Sequence, residues 1–158
     1  KDGDKISLKL PMKLKASKWH QGSTAIERGP LVYALKVNSE VKKKDRNDGY
    51  REFSELYAID KWNYGLITSN VADIDNTIEV VENGWDGSYP WNLENSPISL
   101  KIKGMKFDEW TARNGIPYLP GVWGNYKGDP NDKIQEITLV PYGCTTLRIT
   151  QFPVVKLP

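Results

Sequence analysis

The side chains best suited to catalysis are scarce in this chain, which has one cysteine, Cys144, and one histidine, His20, among 158 residues. A thiolate nucleophile needs a nearby base, cation or helix N-terminus to lower its pKa. Cys144 lies in Pro141-Tyr-Gly-Cys-Thr-Thr146, a predicted turn between strands that supplies none of these locally. We therefore predict that Cys144 is a small apolar side chain packed at a strand end. His20 follows Trp19 and is predicted to lie in an exposed turn.

The same counts exclude several site types. One cysteine cannot form an internal disulfide or a zinc site that needs two thiolates from this chain, and one histidine cannot form a His-pair metal motif. Calcium loops place oxygen ligands at alternate positions and close with a glutamate, a pattern that Asp129-Pro-Asn-Asp132 lacks. The sequence therefore predicts no metal and no cofactor.

Glycoside hydrolysis ordinarily needs two carboxylates held roughly 5–10 Å apart. Four acidic residues fall within one stretch of the chain, namely Asp108, Glu109, Asp129 and Asp132. Any exposed loop carries such residues, so we assign no catalytic residue to them.

The aromatic residues indicate a candidate binding function more specifically than the acidic residues do. Flat rings beside polar groups suit sugar faces, because a ring offers a rigid apolar plane at low entropic cost. Five aromatic residues are candidate carbohydrate contacts: Trp85, Tyr89, Trp91, Trp110 and Trp123. The alternative interpretation is that these rings pin irregular loops onto the body of the domain.

Charge and hydropathy narrow the class of partner. A net charge of +2 does not favour nucleic acid or an anionic membrane. No segment approaches the roughly 18 apolar residues of a membrane span, which predicts no membrane insertion. Alternation of apolar residues begins within a few residues of Lys1, and from this we expect the chain to be a fragment of a longer protein.

The apolar pattern has mainly the period of two that is typical of half-buried strands. Predicted strands run through Leu8 to Ala16, Leu31 to Val37, Phe53 to Ile59, Thr77 to Val81, Ile98 to Ile102, Ile137 to Val140 and Leu147 to Thr150. Asn-Gly, Asp-Gly and Gly-Asp-Pro groups punctuate them. We predict one all-β domain over residues 1–158, an antiparallel β-sandwich for which a jelly roll is one arrangement.

Two segments depart from that pattern. Residues 104–133 are rich in Gly, Pro, Trp and Tyr, and are predicted to form one long irregular loop. The run Lys42-Lys-Lys-Asp-Arg46 is predicted to be a solvated loop between strands. Trp62 and Tyr64, two residues apart, are predicted to share a buried strand face.

Three strings resemble a known family: Leu10-Pro-Met-Lys-Leu14, Ala25 to Leu35 with Glu-Arg-Gly-Pro-Leu-Val-Tyr inside it, and Ile137 to Ile149 followed by Phe152-Pro153. Together they resemble the region after the catalytic domain in the β-L-arabinofuranosidase family, glycoside hydrolase family 127. Trp62-Asn-Tyr-Gly-Leu66 fits the same region.

The resemblance implies a C-terminal accessory domain of a multidomain enzyme, whose partner is an upstream (α/α)-barrel catalytic domain of the same polypeptide. In that family, catalysis is associated with a glutamate and a zinc-bound cysteine cluster in the barrel region. Cys144 does not match that cluster, so no catalytic residue is carried across. An extracytoplasmic bacterial location is also implied.

Two other functions remain open from the sequence. One is a carbohydrate-binding module that recognises plant-type glycans through exposed aromatic residues. The other is a purely structural or protein-interaction domain, which predicts a contiguous exposed apolar patch.

Overall fold

The computed structural model describes residues 2–45, 49, 51–118 and 129–157, together with the backbone of residues 122–125. The described strands are β1 (Leu14–Lys18), β2 (Thr24–Arg28), β3 (Leu31–Leu35), β4 (Ser39–Lys44), β5 (Phe53–Ala58), β6 (Tyr64–Ile67), β7 (Glu79–Glu82), β8 (Ile98–Lys106), β9 (Ala112–Arg113), β10 (Ile116–Pro117), β11 (Val122–Asn125), β12 (Ile134–Pro141) and β13 (Val154–Lys156). Helix in the described part of the chain is limited to α1 (Thr68–Ala72), α2 (Ile74–Thr77) and the 3-10 turns His20–Gly22 and Tyr142–Cys144. The all-β prediction is confirmed. None of the described helices is long and apolar enough to cross a membrane.

Nine of the described strands form one mainly antiparallel sheet in the order β1-β2-β3-β12-β8-β6-β13-β11, with β7 paired to β8. The sheet curls, because Thr24 at the start of β2 exchanges two backbone hydrogen bonds of 2.9 Å with Phe152, just before β13. Two small hairpins, β4-β5 and β9-β10, lie outside this ladder. These nine strands therefore join into one curled sheet, and the finer sandwich arrangement stays a prediction.

The main core lies on one face of this sheet. Leu139 of β12 stands opposite Leu35 of β3 on one side and Leu100 of β8 on the other, and Ile137 stands opposite Ile102. All five side chains are buried in one apolar cluster. The alternation predicted for β8 thus places Leu100 and Ile102 inside, where their burial stabilises the sheet.

A second core forms on the opposite face at the far end of β8. Met105 stands opposite Gly65 of β6, and Ile67 stands opposite Val155 of β13. Phe107 and Trp110 pack on this face with them. A β-carbon at Gly65 would lie 2.5 Å from Cε2 of Phe107, so the missing side chain is what lets the Phe107 ring lie flat on the strand.

The predicted strand from Leu8 to Ala16 is wrong over its first half. The ladder begins at Leu14, and residues 8–13 belong to no strand. Ile6, Leu8 and Leu10 alternate there as an exposed apolar row, with Ile6 94% exposed. We call these three residues the apolar row. Period-two alternation marks a side-chain pattern, whereas a strand also needs a neighbouring backbone.

The segment Leu147 to Thr150 is likewise not a strand, although the Leu35 amide donates to the Ile149 carbonyl at 2.9 Å. Lys42–Lys44, predicted as loop, belong to β4. Lys42 is held there by Glu40 at 2.8 Å and by the Tyr57 ring, 4.7 Å from Nζ to the ring centroid. The Glu40 pair lies within β4 and the Tyr57 contact reaches across to β5, and contacts of this kind let a charged run form an exposed hairpin.

The predicted loop of residues 104–133 begins too early. Gly104–Lys106 continue β8, and further on the β9-β10 hairpin interrupts the segment. Gly104 suggested a loop in the sequence, but a β-carbon there would lie 2.8 Å from Cδ1 of Ile137. The glycine is therefore a close-packing position within a strand.

Candidate functional site: an aromatic groove beside the β2–β3 turn

Trp85 and Tyr89 project from the loop between β7 and β8. Trp85 is 67% exposed, and Tyr89 is exposed to a similar degree. The loop is held by its own hydrogen bonds, since Nε1 of Trp85 donates to the Ser88 carbonyl at 2.7 Å and the Ser88 amide donates to Asp86 Oδ1 at 2.9 Å. Hydrogen bonds from Ser88 lower the pKa of the Asp86 carboxyl. The loop thus presents both rings to solvent on an ordered turn.

Trp91, further along the same loop, is fixed against the 3-10 turn after β12. A β-carbon at Gly143 would lie 3.3 Å from Cε3 of Trp91, so the indole lies directly on this glycine. The Cys144 thiol donates to the Pro90 carbonyl at 3.5 Å. Cys144 is buried at the strand end as predicted, and burial raises its pKa. The cysteine therefore helps to anchor the loop that carries Trp91.

Trp91 lines a groove of about 460 Å³. Its other two aromatic side chains are Trp19 and Tyr142, and each of the three rings is between 44% and 55% exposed. The remaining wall comes mainly from the β2–β3 turn, the end of β12 and the segment before Phe152: Ala25, Glu27, Pro30, Leu31, Val32, Pro141, Gly143, Thr150 and Gln151. We call this depression the aromatic groove.

A chain of hydrogen bonds fixes one side of the aromatic groove. Nε1 of Trp19 donates to Oγ of Ser17 at 2.9 Å, and that hydroxyl donates to Oε1 of Glu27. The other carboxylate oxygen of Glu27 lies 3.5 Å from Nζ of Lys15. The β1–β2 pairing explains the arrangement, because Lys15 stands directly opposite Glu27. The Trp19 indole and the Glu27 carboxylate are thereby held in a fixed relation.

The opposite side is fixed by Arg148, whose guanidinium carbon lies 4.4 Å from the Tyr142 ring centroid. Nε of Arg148 also donates to the Thr145 carbonyl at 2.9 Å, which holds the guanidinium in place over the ring. A cation over an aromatic face is attractive, and stabilises this orientation of Tyr142.

The remaining two candidate carbohydrate contacts are Trp110 and Trp123, and neither is described as an exposed ring. Trp110 is 2% exposed, stacks edge-on against Trp62 at 5.2 Å between ring centroids, and donates from Nε1 to the Tyr118 carbonyl at 3.0 Å. A buried indole offers no free face to a sugar, so Trp110 acts as an anchor for the segment that follows β8. The side chain of Trp123 lies outside the described residues.

A second depression, of about 480 Å³, lies between the two small hairpins. Its aromatic wall consists of Tyr57, Trp62, Trp110 and Tyr118. It shares Thr150 and Gln151 with the aromatic groove, so the two depressions lie on either side of one segment. Tyr64 is buried in β6 and Trp62 is partly buried, but Trp62 lies just before the strand, so the two do not share a strand face as predicted.

Two of the four acidic residues weighed for catalysis, Asp108 and Asp129, pair with basic or backbone groups. Asp108 lies 2.7 Å from Nζ of Lys106 and 4.0 Å from Nζ of Lys133, and the bond to Lys106 lowers its pKa. Asp129 accepts from the Asn131 amide at 3.0 Å. Within the described ranges, no group of three His, Cys, Asp or Glu side chains is placed to hold a metal ion. His20 is exposed in its 3-10 turn, as predicted.

Sequence reasoning missed Trp19, Tyr142 and Glu27 as groove residues. The latter two lie inside the family-like strings, and those strings meet in space: β3 pairs with β12, and Met12 packs on Gly29 in the β2–β3 turn. Mapping the strings onto adjacent strands would have drawn attention to the aromatic groove.

The described part of the chain is therefore an all-β fold that carries an aromatic groove on its surface. Comparison with known proteins found no family model that matches the chain, no curated protein that matches it and no solved structure that matches it.

Proposed function

We propose that this chain is a non-catalytic accessory domain of a β-L-arabinofuranosidase-like glycoside hydrolase. It packs against the (α/α)-barrel catalytic domain of the same polypeptide and contributes a loop to the substrate cleft. The family part of the proposal rests on the three strings of the sequence, which form neighbouring elements of the fold.

The observation that carries the docking role is the apolar row. Ile6, Leu8 and Leu10 are strongly exposed and alternate directly before the edge strand β1. Burying one such side chain stabilises an assembly by about 1.5–3 kcal/mol. Three of them in one strip supply the kind of contiguous apolar contact that a neighbouring domain covers.

Two measurements test this proposal. The gene upstream of Lys1 is expected to encode a long helical region with a cysteine cluster, and finding neither would refute the family assignment. In the complete polypeptide, amide hydrogen exchange at residues 4–10 is expected to be slower than in the isolated chain. Equal exchange rates would remove the docking role.

A direct activity assay provides the complementary test. The isolated chain is expected not to hydrolyse an aryl β-L-arabinofuranoside. A measurable rate that a single substitution in this chain abolishes would overturn the non-catalytic assignment.

A second candidate function, a carbohydrate-binding module for plant-type glycans, is favoured by one specific observation. Trp85 and Tyr89 are exposed on a loop that is ordered by its own hydrogen bonds. Rigid exposed rings bind sugar faces at low entropic cost. Tryptophan fluorescence followed during titration with arabino-oligosaccharides is expected to show saturation, and a flat response at millimolar sugar would contradict this candidate.

A further inference from the structure

We infer that the aromatic groove is a binding site for a neutral saccharide, with Trp19, Trp91 and Tyr142 against sugar faces and Glu27 accepting hydrogen bonds from sugar hydroxyls. The inference rests on the second candidate function and places its binding site in the aromatic groove rather than on the loop that carries Trp85 and Tyr89.

The three rings come from separate parts of the chain and converge on one depression. Trp19 precedes β2, Trp91 belongs to the loop before β8, and Tyr142 follows β12. Each ring is about half exposed, so part of its surface is packed and part is free. The volume of about 460 Å³ lies within the range of roughly 300–1,000 Å³ that is usual for small-molecule sites.

Each ring is fixed by a contact of its own before any ligand arrives. Trp19 is held through its Nε1 bond to Ser17, Trp91 by its seat on Gly143, and Tyr142 by the guanidinium of Arg148. Fixing side chains in advance removes the ordering cost that binding would otherwise carry, about 0.5–1.5 kcal/mol for each mobile side chain. The aromatic groove is therefore preorganised for a ligand with flat apolar faces.

The polar part of the site favours a neutral ligand that donates hydrogen bonds. The Glu27 carboxylate accepts from Ser17 and retains further acceptor capacity, because an ionised carboxylate has about four lone-pair positions. Lys15 balances its charge from 3.5 Å, which leaves little net field to attract a cation. An acidic sugar would instead bring a second carboxylate close to Glu27. In the aromatic groove the rings match the apolar faces of a neutral sugar. The charge-balanced Glu27 carboxylate matches the hydroxyl groups at the edges of that sugar.

The test is calorimetric titration of the whole chain with arabinotriose, xylotriose and cellotriose, and with trigalacturonate as the acidic comparison. The variants are Trp19→Ala, which removes a groove ring, and Glu27→Gln, which keeps the shape of the side chain but removes its charge. Phe53→Ala is the matched control, because Phe53 is also an exposed ring but lies outside the aromatic groove. Trp85→Ala tests the alternative site on the loop between β7 and β8. Far-UV circular dichroism of each variant establishes that it is folded.

We expect saturable binding of at least one neutral trisaccharide, weakened about tenfold or more by Trp19→Ala and unchanged by Phe53→Ala. Glu27→Gln should weaken binding by a smaller factor, and trigalacturonate should bind more weakly than the best neutral sugar. A Trp85→Ala loss with Trp19→Ala unaffected would overturn the groove assignment and leave the carbohydrate-binding candidate standing. No saturable binding of any neutral sugar would overturn both, while the docking role is decided separately by hydrogen exchange at residues 4–10.

Discussion

Replacing Trp110 with alanine tests whether this ring is an anchor or a sugar platform. Trp110 is 2% exposed, contacts Trp62 edge-on and donates its indole N–H to the Tyr118 carbonyl. Truncating a buried tryptophan to alanine costs about 3–5 kcal/mol, and the lost hydrogen bond contributes to that cost. For a domain of this length, each kcal/mol lowers Tm by about 2–4 °C. Trp110→Ala is therefore expected to lower Tm by roughly 6–20 °C.

The assay is thermal unfolding followed by far-UV circular dichroism. Trp85→Ala is the control, since it removes the same side chain from a position that is 67% exposed, where substitutions usually change stability by about 0.5 kcal/mol or less. Trp110→Phe keeps a ring without the donor and should fall between the two. A Tm for Trp110→Ala within about 2 °C of the unmodified chain would refute the anchor role.

Three further predictions concern the second core, the buried thiol and the loop that carries the exposed rings. Gly65→Ala should cost about 1–3 kcal/mol in urea unfolding, because its β-carbon would lie 2.5 Å from Phe107, and adding Phe107→Leu should recover part of that loss. Burial raises the pKa of Cys144, so its contribution to stability is complete below the unfolded thiol's pKa of about 8.5 and declines as pH rises toward the folded pKa. Urea midpoints between pH 7.5 and about 9.5 should therefore fall less for Cys144→Ala than for the unmodified chain; equal slopes would contradict this. Asp86→Ala should speed amide exchange at Ser88 while leaving Tm nearly unchanged, and a large drop in Tm would show that the loop is part of the global fold.

The strands that could be predicted are those whose alternating segment pairs with at least one neighbouring strand in the fold. Ile98 to Ile102 alternate with polar residues, and β8 receives β7 and β12 along its two edges. Pro141 is the last residue of β12, and proline has no N–H to donate to a further ladder bond. The apolar row shows the same alternation as β8 but has no ladder partner among the described residues. Pairing is a property of distant segments, so the local pattern could not separate the two cases.

The candidate site was only partly predictable for a similar reason. Trp85 and Trp110 both lie in glycine-containing aromatic stretches, yet one is exposed and the other is buried beside Trp62. What decides their exposure is the second core at the end of β8, which depends on strand order. Trp19 gave no signal alone, since its role depends on Ser17 and on the β1–β2 register that places Glu27 beside them. Residue type predicted the chemistry of the rings, and topology selected which of them face solvent.

The residues in and around the apolar row also indicate what kind of partner surface would be complementary to it. Lys9 lies between Leu8 and Leu10, and Lys5 and Lys13 flank the row on either side. Pro11 follows the row without an N–H to donate to a ladder. Lysine and proline are the residues that natural sheets place at edges to prevent pairing with identical copies. The row is thus guarded against self-association into larger aggregates, since a second copy would bring the same positive charges. A complementary partner is one that offers an apolar strip bordered by carboxylates.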